Sequence, residues 1–385
     1  MEVIVKFLHL GDLHIGKSVN DFSMTDDQKY MLDRILEEIA ARGTDAVLIA
    51  GDVYDKAVPS EDAVRLFDSF ISALADMGTK VFIISGNHDS DERLNFGSSL
   101  FERSNIFITS KFTGSLAKQT FEDEYGNVNI YMLPFVKASQ VRHFFPEDDI
   151  QSYEDAVRCV ISHAEIDQNE RNIILSHQFV AGHGRDPELS GSENASVRNV
   201  GAVERVSSDC YEIFDYAALG HIHSPQAAGR ETVRYSGSLL KYSLSEINGT
   251  KSMPVVTLGD KGSVDLELVT IKPLRDMRHV KGELKKLLAP ENIDSPDDYM
   301  YVTLTDEEMI PNAPEIIRHT YPHLMKVDYD NSHTKSAAAV DLSEYMNDRT
   351  FEEIISDFYR EICKSEISDE EMKIMLEVGE KAGVL

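Results

Sequence analysis

At 385 residues, 42% hydrophobic and 27% charged, the chain is long enough for one large domain or two to three smaller ones around a buried core. Its net charge of −29 excludes broad electrostatic binding to nucleic acid, so a polyanionic substrate would have to be drawn in locally. No apolar run reaches the ~18 residues that cross a bilayer, and residues 1–10 lack the features of a signal peptide. Cys159, Cys210 and Cys363 read as reduced thiols of a cytoplasmic protein, not as a disulfide or zinc framework.

In chain order, residues 2–10 read as a first strand. Thr25 and Gln28 have the spacing of a capping box, opening a helix with the apolar stripe Met31, Ile35, Leu36, Ile39. The run Ala46–Ala50 reads as a short buried strand. Residues 60–77 form a helix with Val64, Phe67, Ile71 and Leu74 on one face, stopped by Gly78, and 80–85 form another strand. This βαβαβ opening implies a parallel sheet. Beyond Arg103 the strands look antiparallel, with 120–124 and 128–133 flanking Tyr125-Gly126-Asn127 as a hairpin. A helix at 152–166 leads to a strand at 172–176, and the glycine- and polar-rich stretch 180–199 reads as a loop over the site. Strands at 216–219, 233–236, 255–258 and 264–268 complete a second sheet.

Composition shifts at Lys272-Pro273. A helix at 280–288, a strand at 299–304, a helix at 314–321 and a strand at 325–329 suffice for a small α/β domain. Residues 331–339 read as a linker. Two capping boxes follow, Thr350 with Glu353 and Ser368 with Glu371. The first helix carries the stripe Phe351, Ile354, Ile355, Phe358, Ile362, and Ile367 with Met372 forms a hydrophobic staple on the second.

Five strand-like runs end in metal-ligand residue types: Asp12-Leu13-His14, Gly51-Asp52, Gly86-Asn87-His88-Asp89, Ser176-His177 and Gly220-His221-Ile222-His223. Strand carboxyl ends are where open α/β sheets place ligands. Carboxylate, imidazole and one amide oxygen, without thiolates, suit manganese, iron or zinc. With His88 set aside, Asp12, His14, Asp52, Asn87, His177, His221 and His223 are too many for one ion and suit two sharing a bridge. Two ions ~3.5–4 Å apart can clamp the attacking and leaving oxygens of a phosphoryl displacement. Set against the carboxylates of Asp12 and Asp52, two dications leave the centre at about +2 in formal charge, which answers the acidity of the chain.

These five motifs match, in order, those of the calcineurin-like metallophosphoesterases. His9-Leu10-Gly11-Asp12-Leu13-His14-Ile15-Gly16, the stretch 218–226 and Tyr235-Ser236-Gly237-Ser238 resemble the SbcD-like nuclease subunits of bacterial SbcCD DNA-repair complexes. The match covers most of residues 1–270 and is general in layout beyond. Gly11 departs from it, standing where the family usually has a small hydroxyl residue. The resemblance implies an α/β fold, a four-layer metallophosphoesterase sandwich of two mixed β-sheets flanked by helices, over residues 1–271. It is followed by a small α/β cap domain that binds DNA (272–330), a linker (331–347) and a C-terminal helical pair that docks an ATPase partner (348–385). One metal is expected on Asp12, His14, Asp52 and His223, and the other on Asp52, Asn87, His177 and His221, most often as two Mn2+. His88 is expected to act on the scissile phosphate and leaving oxygen. The implied activity is a manganese-dependent DNA nuclease of repair, recombination and replication, a 3′–5′ exonuclease on duplex ends and an endonuclease on single strands and hairpins. It would dimerise through helices at 60–77 and 91–103, within a heterotetramer with an SbcC-like ABC ATPase of long coiled coils, away from membranes.

Other residues read more plainly. His143, His163, His279, His319, His323 and His333 are expected to be solvated or structural, and His183 solvent-facing. His9 is expected to be structural or to support a ligand from behind, pointing away from Asp12 by strand alternation. Asp55 and Asp89 are expected to hydrogen-bond neighbouring loops, against the alternative of touching metal or substrate. Between Lys272 and Lys286, six basic residues face two acids, and Lys281, Lys285 and Lys286 are the candidate DNA contacts against the alternative of a solvated helix start. Two competing functions are a small-molecule phosphodiesterase of the same fold, which needs neither an extra domain nor C-terminal helices, and a catalytically silent DNA-docking scaffold, which the full set from Asp12 to His223 disfavours.

Overall fold

The computed structural model describes residues 5–182, 184–191, 204–332, 334, 350–363 and 366–382. The chain divides into two compact units. The first is Met1–Val280 with Ile293–Val302 and Pro314–Lys326, and the second is Lys281–Asn292 with Thr303–Ala313 and Val327–Leu385.

The first unit holds two six-stranded sheets. One contains β1 (Val5–Leu10), β4 (Ala46–Ala50), β5 (Lys80–Ile84), β6 (Ile106–Thr109), β15 (Met253–Leu258) and β16 (Val264–Val269), in the order β16-β15-β1-β4-β5-β6. Strands β1, β4, β5 and β6 run parallel, and β15 is antiparallel to both its neighbours. The other contains β7 (Ala117–Asp123), β8 (Gly126–Leu133), β9 (Arg171–Ser176), β12 (Tyr216–Leu219), β13 (Gln226–Ala228) and β14 (Arg230–Tyr235), in the order β13-β14-β12-β9-β8-β7. Two short pairs accompany them, β2 (Ser18–Val19) with β3 (Phe22–Ser23) and β10 (Val180–Ala181) with β11 (Val206–Ser207).

Strand alternation builds the layers. Every residue of Ala46–Ala50 is buried, as a strand covered on both faces requires. Phe7, Ala46, Leu48, Phe82 and Ile84 of one sheet pack with Val128, Ile130, Ile173, Leu175, Tyr216 and Ala218 of the other in a core between them. The intervening residues, among them Leu8, Val47, Ile49, Val81 and Ile83, pack outward against Ile35 and Ile39 of α1 (Thr25–Arg42) and Phe67, Phe70 and Ile71 of α2 (Glu61–Asp76). The outer face of the second sheet (Tyr131, Leu133, Ile174, Ala217, Leu219) likewise takes Val141 of a helix at Ala138–Phe144 and Val157 and Val160 of a helix at Tyr153–Ser162. The expected sandwich of two mixed sheets flanked by helices is what forms.

Five expectations are corrected. The strands at 255–258 and 264–268 do not join the second sheet: they are β15 and β16 of the first, β15 pairing antiparallel with β1. The second sheet is not antiparallel in character: β8, β9, β12 and β14 run parallel, because the β8–β9 connection is a helical crossover, and only the outer pairs β7–β8 and β13–β14 are antiparallel hairpins. Thr25 and Gln28 do not form a capping box, since Met24 is the N-cap residue and Gln28 is turned into the interior. The stretch 280–288 is not one helix; Gly282 ends a strand, β17 (Met277–Gly282), and only Leu284–Leu287 is helical. The stretch 180–199 is not loop from its first residue, since Val180–Ala181 pairs in parallel with Val206–Ser207.

β17, β18 (Tyr299–Leu304) and β19 (Leu324–Tyr329) form a three-stranded sheet. In the second unit, helices Phe351–Cys363 and Asp369–Ala382 start at the two expected capping boxes. Glu353 N–H donates to Thr350 Oγ1 at 3.3 Å and Thr350 N–H to Glu353 at 2.9 Å, and Ser368 and Glu371 repeat the pattern at 3.3 and 2.9 Å. His183, His333, the side chain of Ile362 and most of the linker expected at 331–347 lie outside the described residues. Among the described residues, no helix is long and apolar enough to cross a membrane.

Candidate metal centre

All eight residues singled out from the sequence arrive at the carboxyl ends of five parallel strands. Asp12 and His14 follow β1, Asp52 follows β4, Asn87 and His88 follow β5, His177 follows β9, and His221 and His223 follow β12. The loops after β1 and β4 brace one another, Asp12 N–H donating to Gly51 O at 3.1 Å and His14 N–H to Asp52 O at 3.0 Å. Asp12, His14, Asp52 and His221 have left-handed backbone, with φ of 51°, 45°, 49° and 96°. Such conformations cost ~1–3 kcal/mol each for non-glycine residues and persist only where the surroundings over-determine them. At Gly220 a Cβ would overlap the Ala50 carbonyl and lie 2.8 Å from His177 Nδ1, so only glycine lets these loops close. At Gly11 a side chain would meet Ser236 Oγ at 2.9 Å, so a hydroxyl from another strand end already fills that space.

The ligand-type atoms converge at short range. His14 Nε2 and His223 Nε2 lie 3.0 Å apart, and Asp52 Oδ2 is 3.7 Å from His14 Nε2 and 3.4 Å from His177 Nε2. Asn87 Oδ1 is 2.9 Å from His221 Nδ1 and 3.2 Å from His177 Nε2. His177 donates from Nδ1 to Ala50 O at 2.8 Å, so its neutral form turns a lone pair from Nε2 toward two oxygens. Asp12 accepts the His221 N–H at 2.9 Å, and Asp52 accepts the His88 N–H at 2.9 Å. Ligand atoms of Asp12, His14 and His223 lie within 4.8 Å of one another, as do those of Asp12, Asp52 and His177, and those of His14, Asp55 and His88.

Electrostatics agree with the geometry. Burial pushes His14 and His221 down to about 3 and holds His223 well below its ordinary value, so three imidazoles are neutral donors. Burial also opposes a charge on His177, but the Asp52 carboxylate outweighs it and raises that imidazole to about 9. Asp52, itself penalised by burial, is held well below the usual carboxylate range by His177 first and then His14. A cavity that stabilises positive charge among buried lone pairs fits divalent cations, and these His/Asp clusters are compatible with two.

His88 differs from the other histidines. Its side chain is 20% exposed against 3% or less for Asp52, His14 and His177. Its Nδ1 meets Asp55 O at 2.9 Å, which leaves Nε2 4.0 Å from Asp52 Oδ2. Asp89 braces the loops, accepting N–H groups of Val53, Tyr54 and Gly86 at 3.1, 3.0 and 2.9 Å; burial, then the nearby Asp52 charge, raises it to about 6. Asp55 takes Lys17 Nζ at 2.6 Å. His9 is fully buried, meets Tyr216 Oη at 3.0 Å and is pushed down to about 3 by burial and then by Arg234.

Three residues support these loops in roles the sequence reading missed. Gln28 accepts the Gly16 N–H at 2.9 Å and donates to His14 O at 2.8 Å, Leu13 O at 3.3 Å and Tyr242 Oη at 2.9 Å. Tyr242 Oη in turn donates to Leu13 O at 2.6 Å. Lys251 Nζ holds His223 O at 2.8 Å and Ser238 Oγ at 2.9 Å. A glutamine in helical register with Leu32, Ile35 and Ile39 was the available signal for the first.

Two of the three candidate DNA contacts have acidic partners. Lys281 pairs with Asp330, and Lys286 Nζ lies 2.8 Å from Glu283. Among the other bases of that segment, Arg275 pairs with Asp27 at 2.8 Å and Arg278 with Asp294 at 3.2 Å. Lys285 shares the short helix Leu284–Leu287.

Residues 5–225, more than half the chain, match the family Calcineurin-like phosphoesterase, and the chain belongs to that family. Residues 273–362 match a second family, SbcD_C, described as Type 5 capsule protein repressor C-terminal domain. Together the two matches support an SbcD-like nuclease of the metallophosphoesterase superfamily. Among solved structures, a dimetal phosphatase from Danio rerio is similar at 12% identity over 70% of this chain and 99% of that one, with a TM-score of 0.36, a likeness that carries no argument.

Proposed function

We propose that this chain is a two-metal DNA nuclease, a 3′–5′ exonuclease on duplex ends and an endonuclease on single strands and hairpins, acting in DNA repair and recombination. The observation that carries the reading is the convergence of seven ligand-type side chains from five strand ends, in a chain that also holds the second matched domain. Asp12, His14, Asp52 and His223 would hold one ion and Asp52, Asn87, His177 and His221 the other, with Mn2+ the preferred metal. When bound, such a pair supplies Lewis-acid polarisation of the phosphodiester and an acidified water nucleophile. Within the chain, Ala50 O fixes the His177 tautomer, the His88 N–H steadies Asp52, and the packed loops exclude water from the neutral imidazoles. His88, open to solvent and oriented by Asp55 O, would steady the scissile phosphate and give a proton from Nε2 to the leaving oxygen.

The domain limits 1–271, 272–330, 331–347 and 348–385 belong to the same proposal, with the middle domain gripping DNA through Lys281, Lys285 and Lys286. Phe96 and Leu100, 83% and 64% exposed, favour a homodimer face on the 91–103 segment. Phe358, 62% exposed on the first C-terminal helix, favours docking of an SbcC-like ABC ATPase with coiled coils. The free, buried thiols of Cys159 and Cys210 favour a reducing, cytoplasmic compartment.

The test is incubation of the purified chain with manganese and end-labelled duplex and hairpin DNA. Shortening of duplex ends and opening of hairpins is expected. Hydrolysis of a small aryl phosphodiester without cleavage of DNA would replace the reading with a small-molecule phosphodiesterase, and no hydrolysis of either would leave a docking scaffold.

A further inference from the structure

Away from the strand ends, the helix at Tyr153–Ser162 and the loop before it bring together three groups that the dimetal site does not use. Cys159 and His163 stand four residues apart and therefore on one face of the helix. Cys159 Sγ lies 3.5 Å from Asp148 Oδ2, and His163 Nε2 lies 3.6 Å from the same oxygen. Sγ is 3.7 Å from His163 Nδ1. His163 Nδ1 meets the carbonyl of Cys159 at 2.9 Å, closing the helix end and leaving Nε2 as the lone-pair nitrogen of the neutral ring. Phe145 stacks on that ring at 4.3 Å between centroids, which fixes its plane. The thiol is buried, while His163 and Asp148 side chains are 46% and 43% exposed, so an ion can reach the cluster from solvent.

We propose that Asp148, Cys159 and His163 form a separate site for a thiophilic divalent cation of the Zn2+ kind, with water in the fourth position. One sulfur, one imidazole nitrogen and one carboxylate oxygen is a donor set zinc accepts. With bonds of about 2.3 Å to sulfur and about 2.0–2.2 Å to oxygen, a tetrahedral ion separates those atoms by about 3.5 Å, which is their spacing here. A neutral imidazole lone pair facing a carboxylate is unfavourable unless a cation lies between them, and the dimetal cluster, which has no thiolate, would sort harder ions from this one. On binding, the metal–sulfur bond forms as the S–H bond breaks, and the thiol proton leaves to solvent. Burial and Asp148 hold that thiol up at about 11, so the proton is present to be released. The rival arrangement is an imidazolium–carboxylate pair with the thiol as a bystander.

Cobalt titration of the full chain decides between them, because only a thiolate ligand gives a sulfur-to-cobalt charge-transfer band in the near ultraviolet. The expected result is a band with the intensity of one cobalt–thiolate bond per chain, saturating within about three equivalents because the dimetal site takes up cobalt too, bleached by zinc, absent in Cys159→Ser and weakened at least ~10-fold in apparent affinity in His163→Ala. The band should persist in Cys210→Ser and in Asp52→Asn. His163 is half exposed, so its alanine variant keeps the test valid if Cys159→Ser does not fold. Absence of a band in the parent chain, or its survival in Cys159→Ser, overturns the assignment.

Discussion

Gln28→Leu tests how the turn carrying Asp12 and His14 is held. The substitution conserves volume but removes the four hydrogen bonds of the side-chain amide. Two acceptors keep a second donor: His14 O retains Lys17 N–H at 3.0 Å and Leu13 O retains Tyr242 Oη at 2.6 Å. The uncompensated losses are the Gly16 N–H, which is half buried, and the Tyr242 hydroxyl's donor. At about 0.5–1.5 kcal/mol per bond and more for an unmet buried group, the expected destabilisation is ~2–3 kcal/mol. The turn also loses the brace that offsets the left-handed conformation of His14, and partners behind a metal ligand typically govern ~10–100-fold in affinity. Urea denaturation without metal reads the first effect, and calorimetric titration with manganese the second. Gln28→Glu, which keeps an acceptor for Gly16 N–H but not the donors, should fall between. Wild-type affinity for both ions together with an unchanged urea midpoint in Gln28→Leu would refute the reasoning.

His88→Asn should retain two ions per chain by metal analysis while cleavage falls ~10²–10⁴-fold; loss of one ion would make His88 a ligand instead. Gly220→Ala should displace His177 from Ala50 O and abolish binding at the site that includes His177, and a variant that binds two ions normally would contradict the close approach at this glycine. Changing Lys281, Lys285 and Lys286 together to Glu should weaken duplex binding and flatten its salt dependence by ~0.9 for each phosphate no longer neutralised, leaving a small diester's hydrolysis unchanged. Unaltered affinity and slope would mean that Asp330 and Glu283 already neutralise this face.

The strand ends were legible because each ligand type follows an apolar run, a conjunction that survives whatever the strand order. The capping boxes at Thr350 and Ser368 were legible for a similar reason, since three-residue spacing is enough to state the contact. Thr25 and Gln28 have the same spacing and a different outcome, because the buried turn at Leu13–Gly16 offers Gln28 more hydrogen bonds than a helix end does. Residues 277–288 misled because Val280, Leu284 and Leu287 repeat at helical spacing, whereas Met277–Gly282 alternates between inward and outward positions. The parallel pairing of β8 with β9 was hidden because a neighbouring hairpin says nothing about a partner reached through two helices.

The candidate ligands come from both faces of the central core. Asp12, His14, Asp52 and Asn87 belong to one sheet, and His177, His221 and His223 to the other. Ions gripped by both sets can bind only when the sheets are docked, so occupancy and docking are thermodynamically linked. A ligand present at about 100 times its dissociation constant adds ~2.7 kcal/mol to the free energy of unfolding, a substantial part of a typical domain's margin. Melting temperature should therefore climb with the logarithm of free divalent concentration and drop in chelator, and a melting temperature indifferent to both would uncouple the two. Under metal starvation the same residues that supply the chemistry would set how long the sandwich stays closed.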